Sequence, residues 1–226
     1  MDTIDDSKSP SLESLDVCLS STYPGKQRQV TVTLFDILER LVSLQMGSFY
    51  RHPQLKGLPT TWVQILFYLT RCNGYSNTPA ATTEYLGLTK GTVSQSLNKL
   101  EREGWIRREN DGKDKRVVHL VLTSKASEVM RSIMQETLQE PWDSLAFSEE
   151  QLKTVFLAHL RSMQKNQGAR MFGECRFCRF NQSINGHPWC GLTEEPIPME
   201  SITLICREFE EPENSCSVSD QNERKG

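Results

Sequence analysis

Residues 88–126 read LTKGTVSQSLNKLEREGWIRRENDGKDKRVVHLVLTSKA. Thr89 is a hydroxyl residue suited to a helix N-cap. Behind it Val93, Leu97 and Leu100 recur at i, i+4 and i+7, the spacing of one packed face of a helix that stops at Gly104. Two β-rich arms then flank a Gly-containing tip, ENDGKDKR, which reads as a hairpin. Just upstream, NTPAATTEYLG predicts a short helix. Thr78 is its N-cap, Pro79 occupies the first helical position and Gly87 provides the exit. A short helix, a tight LGLT turn, an amphipathic helix and a basic hairpin together make a winged helix-turn-helix.

The surroundings are helical. Leu34, Ile37, Leu38, Leu41, Leu44 and Met46 predict an amphipathic helix over residues 30–50, broken by HPQLKGLP. TTWVQILFYLTRC, from Thr60, is apolar nearly all round and reads as a core helix, ending in a small buried Cys72. Val129, Ile133 and Leu138 predict a helix over 125–139, stopped by Pro141. Ser148-Glu149-Glu150-Gln151 is a capping box for a last helix bearing Leu152, Val155, Phe156, Leu160 and Met163 on one side. The fold class is therefore mainly α, with a two-stranded β wing and a small cysteine-rich C-terminal module. Polar tails are expected at residues 1–29 and 211–226.

The 226-residue chain carries a net charge of −3, unevenly spread. Residues 89–125 hold nine Lys or Arg against five acids, leaving −7 for the rest. One basic window in an acidic protein points to a surface for a polyanion. On the helical wheel the face opposite Val93, Leu97 and Leu100 carries Gly91, Thr92, Gln95, Asn98, Lys99 and Arg102. Small, amide and cationic groups of this kind fit a major groove, with Gln95 a candidate base reader and Lys99 a candidate phosphate contact, alongside Lys90. In the hairpin tip, Arg116 suits a narrow minor groove, with Asp114 placed to hold its guanidinium. A merely solvated polar face is the alternative.

The combined motif resembles the MarR family of bacterial regulators. The resemblance is carried by the LEREGWI helix exit, the D-x-R wing at Asp114 and Arg116, and VLTSKA leading into the next helix; Ala126 stands where the family usually has Gly. It extends over the helical order from about residue 30 to 165 and defines a winged-helix and dimerisation domain at 30–168. It implies a homodimer in which the first helix and the last two pack on the partner. It also implies a pseudo-palindromic double-stranded DNA operator and regulation of nearby genes relieved by a ligand or oxidant. A helical dimerisation layer agrees with the surplus apolar stripes at 30–50, 126–139 and 149–165.

Residues 169–210 are an addition to that pattern. Cys175, Cys178, Cys190 and Cys206 stand at C-x2-C-x11-C-x15-C. The C-x2-C knuckle can put two thiolates on one metal, and the other two complete a four-thiolate shell. Phe177, Phe180, Trp189 and Phe209 beside them are expected to form a mini-core. Zinc and a [4Fe–4S] cluster both accept four thiolates, and the sequence leaves the two undecided, with metal-free thiol switching as a third option. His187 is assigned to a turn. Cys18 and Cys216 lie in the tails with no assigned role.

The acidic, polar N-terminus has no apolar segment of signal type, and no apolar run approaches membrane-spanning length. A cytoplasmic protein with no membrane partner is expected. Four scattered histidines (His52, His119, His159, His187) and the lack of phosphate-loop, dinucleotide or nucleophile-elbow patterns argue against an enzyme. The expected function is a dimeric DNA-binding regulator whose cysteine module binds zinc or an iron–sulfur cluster for metal or redox sensing. The alternatives are a purely structural zinc with a small-molecule effector, and a cluster-bearing redox enzyme.

Overall fold

A computed structural model describes residues 32–137 and 147–212. The expected N-terminal tail with Cys18, most of the C-terminal tail with Cys216, and Leu138 and Pro141 lie outside the described residues.

Six α-helices and a two-stranded wing form the first part of the described chain. Helix α1, Leu34–Arg51, starts at the first residue of the apolar pattern, inside the predicted span of 30–50, because Thr33 and Asp36 close a capping box there. Helix α2, Thr60–Arg71, buries Trp62, Val63, Ile65, Leu66, Tyr68 and Leu69. It is the core helix its all-round apolarity predicts. Helices α3, Pro79–Leu86, and α4, Lys90–Arg102, are capped by Thr78 and Thr89. The turn between them is made by Gly87 at φ 62°, a left-handed conformation that costs glycine little. Strands β1, Ile106–Asn110, and β2, Val118–Leu122, pair antiparallel with Ile106 opposite Leu122 and Asn110 opposite Val118. Helix α5, Ser124–Thr137, closes the core with Ala126, Met130 and Ile133. Helix α6, Glu149–Asn166, begins at the Ser148–Gln151 capping box.

One apolar core joins α2, α4, α5 and the base of the wing. Helix α1 adds Phe49 to it, but Leu34, Phe35, Ile37, Leu41, Val42 and Leu44 stay exposed. Helix α6 buries no residue, and Val155, Phe156, Leu160 and Met163 are exposed. Two amphipathic helices thus present apolar stripes that the described residues leave exposed. Among the described residues no helix is long and apolar enough to cross a membrane.

The cysteine module is built of short strands. Strands β3, Gly173–Glu174, and β7, Ile205–Cys206, pair antiparallel. Strands β4, Asn181–Ile184, β5, His187–Cys190, and β6, Glu195–Pro196, form a second antiparallel sheet. Asn185 and Gly186, at φ 51° and 78°, make the two-residue turn joining β4 to β5, and exposed His187 follows it. The mini-core differs from the aromatic one expected. It comprises Cys175, Ile197 and Cys206 with Cys190 and Ile202 against them. Phe177 is exposed, with the Arg176 guanidinium over its ring. Of the four aromatics only Phe209 is fully buried. Its ring lies over Gly173, where an added Cβ would come within 2.7 Å of it.

The module does not simply trail behind α6. Ile205 bridges to Cys72 at the end of α2, and the Asn73 amide donates to the Ile205 carbonyl at 2.9 Å. A second tie reaches α6, where Arg161 and Lys165 pair with Glu211 at 3.3 and 2.6 Å.

Candidate nucleic-acid interface and thiol site

Helix α4 divides as its periodicity predicts. Val93, Leu97 and Leu100 are buried, together with Ser96, while Lys90, Gly91, Thr92, Gln95, Asn98, Lys99 and Arg102 are exposed. The exposed residues are not all equally available. The Thr92 hydroxyl is 2.8 Å from that of Thr89, within the N-cap. The Asn98 carbonyl oxygen accepts from Arg108 at 2.8 Å, and Arg108 also donates to Glu101. Arg108 therefore pins one edge of this exposed face from β1, a role no local pattern signalled. Lys90, Gln95, Lys99 and Arg102 are left as the exposed groups with the longest reach.

At the wing tip, Arg116 donates to both carboxylate oxygens of Asp114, at 3.0 and 2.9 Å. This pair lowers the Asp114 pKa and raises that of Arg116. Asp111 shapes the tip itself. Its Oδ1 accepts the amides of Lys113 and Asp114 at 2.7 and 2.6 Å, and its Oδ2 lies 3.1 Å from His119 Nε2. Accepting the Asp114 and Lys113 amides holds the carboxyl down at about 2. A cleft of about 1130 Å³ runs between α3, α4 and the wing, and Lys90, Arg108, Arg116 and Arg207 line it. Four cations around one concavity suit an anionic backbone.

The four cysteines predicted to act together line one cavity of about 430 Å³. Cys175 and Cys206 are buried, and Cys178 and Cys190 are half-buried. The Cys175 and Cys206 thiols interact directly, which raises the Cys175 pKa and lowers that of Cys206. Asn73, buried at 4% exposure, donates from Nδ2 to Cys175 Sγ at 3.4 Å. Asn181 and Thr193 line the same cavity, and their buried Oδ1 and Oγ1 atoms have no hydrogen-bond partner. Among the described residues no group of three or more His, Cys, Asp or Glu forms a ready site for a metal ion. Cys72 is buried as expected, and desolvation pushes its thiol up to about 12.

The module's attachments to the helix-turn-helix were not legible in the sequence. The Arg207 guanidinium grips Glu84 of α3 at 2.7 Å through two nitrogens. Its backbone amide donates to the buried Ser76 hydroxyl at 2.8 Å. Glu195 accepts from Tyr75 of the α2–α3 turn and from Lys113 of the wing tip. The Lys113 charge of the basic window is thereby shared with the module.

Residues 56–117 match the family model described as MarR family. The chain is 28% identical over 125 residues to the transcriptional repressor MprA of Escherichia coli (strain K12), covering 51% of this chain and 71% of that protein. It is 30% identical over 93 residues to the HTH-type transcriptional regulator PecS of Dickeya dadantii (strain 3937), covering 41% and 55% respectively. Among solved structures, that of transcriptional regulator PA3341 superposes with a TM-score of 0.51 at 23% identity, over 59% of this chain and 99% of that one. The curated matches span at most 125 residues and the structural one 59% of the chain, about the extent of its helical and winged part. Family model, relatives and fold converge on the same segment: the winged helix of this chain is similar to that of MarR-family transcriptional regulators.

Proposed function

We propose that the protein is a homodimeric, cytoplasmic DNA-binding regulator of transcription that reads a pseudo-palindromic operator. In this reading Gln95 reads base edges in the major groove. Lys90, Thr92, Asn98, Lys99 and Arg102 position the helix there, and Arg116, held by Asp114, enters the adjoining minor groove. The single observation that carries it is the exposed polar and cationic face of α4 beside a wing whose arginine is already clamped in place. The naming of MprA as a repressor and PecS as a regulator supports the same reading. The uncovered apolar stripes of α1 and α6 support dimerisation, since contiguous exposed apolar faces of this kind mark interfaces. Titrating labelled genomic duplexes at several salt concentrations tests it. Affinity that falls steeply with salt supports DNA binding, and none at low salt overturns it.

The same proposal assigns a metal centre to the cysteine module, held by Cys175, Cys178, Cys190 and Cys206. A zinc ion draws four sulfurs to about 2.3 Å from one point. Four thiols lining one cavity of about 430 Å³ suit either a zinc ion or a [4Fe–4S] cluster, both of which four cysteines hold. Two buried oxygens without partners on the cavity wall, Asn181 Oδ1 and Thr193 Oγ1, favour an occupied site. When bound, such a cluster supplies sensitivity to oxidants and to iron supply. Iron, sulfide and zinc content of protein purified without air decides: about four irons per chain supports the cluster. About one zinc supports a structural clamp instead. A second reading then gains weight, because a cavity of about 640 Å³ between α2, β2 and α5, lined by Leu69, Leu122, Arg131 and Met134, has room for a small-molecule effector.

A further inference from the structure

We infer that the state of the four-thiol cavity is reported to DNA through the α2–α3 turn and the wing, rather than by a change in the spacing of the dimer. This rests on the proposal that the cavity holds a metal centre. A continuous series of contacts supports the route. Asn73 touches the site directly through Cys175, and its backbone amide holds Ile205, the neighbour of Cys206. Ser76, fully buried, holds the amide of Arg207 on the other side of Cys206. Both residues belong to the same turn, whose far end grips the wing. The Asn77 carbonyl accepts the Leu120 amide at 2.6 Å, and its side-chain oxygen lies 2.6 Å from His119 Nδ1. His119 contacts Asp111, whose carboxylate sets the tip that presents Arg116. In parallel, Glu195 straps the tip from outside through Lys113.

The module has a small core, so it depends on a cross-link for its shape. Emptying the cavity removes that cross-link. The segment around Cys206 then loosens, the turn loses two of its hydrogen-bond partners, and the wing loses its support. The occupied protein is accordingly the tight DNA binder, and the emptied protein the weak one.

The test uses the full-length protein purified without air, before and after removal of its metal by a chelator. Metal content, operator affinity, dimer mass and amide hydrogen exchange are measured on the same samples. The expected result is faster exchange at residues 73–78 and 110–120 on emptying, with operator affinity falling at least tenfold and the dimer intact. Unchanged wing exchange and affinity after verified metal loss overturns the inference and leaves the metal site standing. Changes confined to α1 and α6, or dissociation to monomers, overturn it in favour of the dimer route. Protein that holds neither iron nor zinc with its four thiols intact removes the metal reading and this inference with it. Glu195→Gln leaves all four thiols in place. It should keep full metal content while raising wing exchange in the occupied protein, and wing exchange equal to wild type counts against the strap.

Discussion

Asp111 shows how much one carboxylate can organise. It accepts two backbone amides at the wing tip and faces His119, and its pKa is depressed to about 2. A group whose folded pKa lies below its unfolded value of about 3.9 stabilises the fold above that value, and the stabilisation is lost as pH falls through 2. Wild type should therefore lose more melting temperature between pH 4 and pH 2 than Asp111→Asn does, because the amide has no such titration. Equal losses would mean that the tip does not rely on the charge. Gly173 is the second residue whose identity matters. The Phe209 ring fills the space a Cβ would take, so Gly173→Ala must displace an aromatic that anchors the chain just beyond Cys206. Overpacking of this kind costs about 1–3 kcal/mol. The expected outcome is a lower chemical-denaturation midpoint than wild type, followed by circular dichroism. Both residues could be singled out only from the structure. An Asp before a Gly reads as a turn residue, and the partner of Gly173 lies far along the chain.

Helix α4 was legible almost in full, because its signals are local. The N-cap at Thr89, the i, i+4, i+7 apolar face and the glycine beyond its end all lie within sixteen residues. What periodicity could not reveal is which exposed side chains are already engaged. Asn98 is held by Arg108 from the next strand, and Thr92 by its own cap. This separates the roles of the remaining residues. Gln95→Ala should cost about 1–3 kcal/mol on the preferred operator and relax discrimination at one base pair. Lys99→Ala should weaken all duplexes alike and reduce the salt dependence by about one phosphate contact. Binding measured against a panel of single-base operator variants at two salt concentrations separates the outcomes. A uniform loss for Gln95→Ala would remove it as a base reader.

At the scale of the whole molecule the surplus apolar surface is decisive. Leu41 on α1 and Phe156 on α6 are exposed in the single chain, on helices with more apolar stripe than the core uses. A charge placed in a buried interface stays unpaired and costs several kcal/mol. Leu41→Glu should therefore shift the protein to monomers in sedimentation and abolish high-affinity operator binding while leaving the far-ultraviolet circular dichroism unchanged. A dimer that survives both Leu41→Glu and Phe156→Glu would place the interface elsewhere. The module belongs to this scale too. Expected behind the last helix, it docks on the α2–α3 turn, on α3 and on the wing, as well as on α6.

The sequence by itself determined the helices, their caps, the wing and the exposed face of α4, because each follows from side chains within a few turns of one another. It also placed four cysteines at a spacing that invites a shared occupant. Only the tertiary structure decided that these thiols surround a cavity. Only it showed that Asn73, Ser76 and Glu84 meet a segment more than 100 residues away, and that the wing is tied to the module. Such contacts depend on the path of the chain between distant elements. Hydrogen bonds and ion pairs across that separation leave no periodicity in the residues that make them.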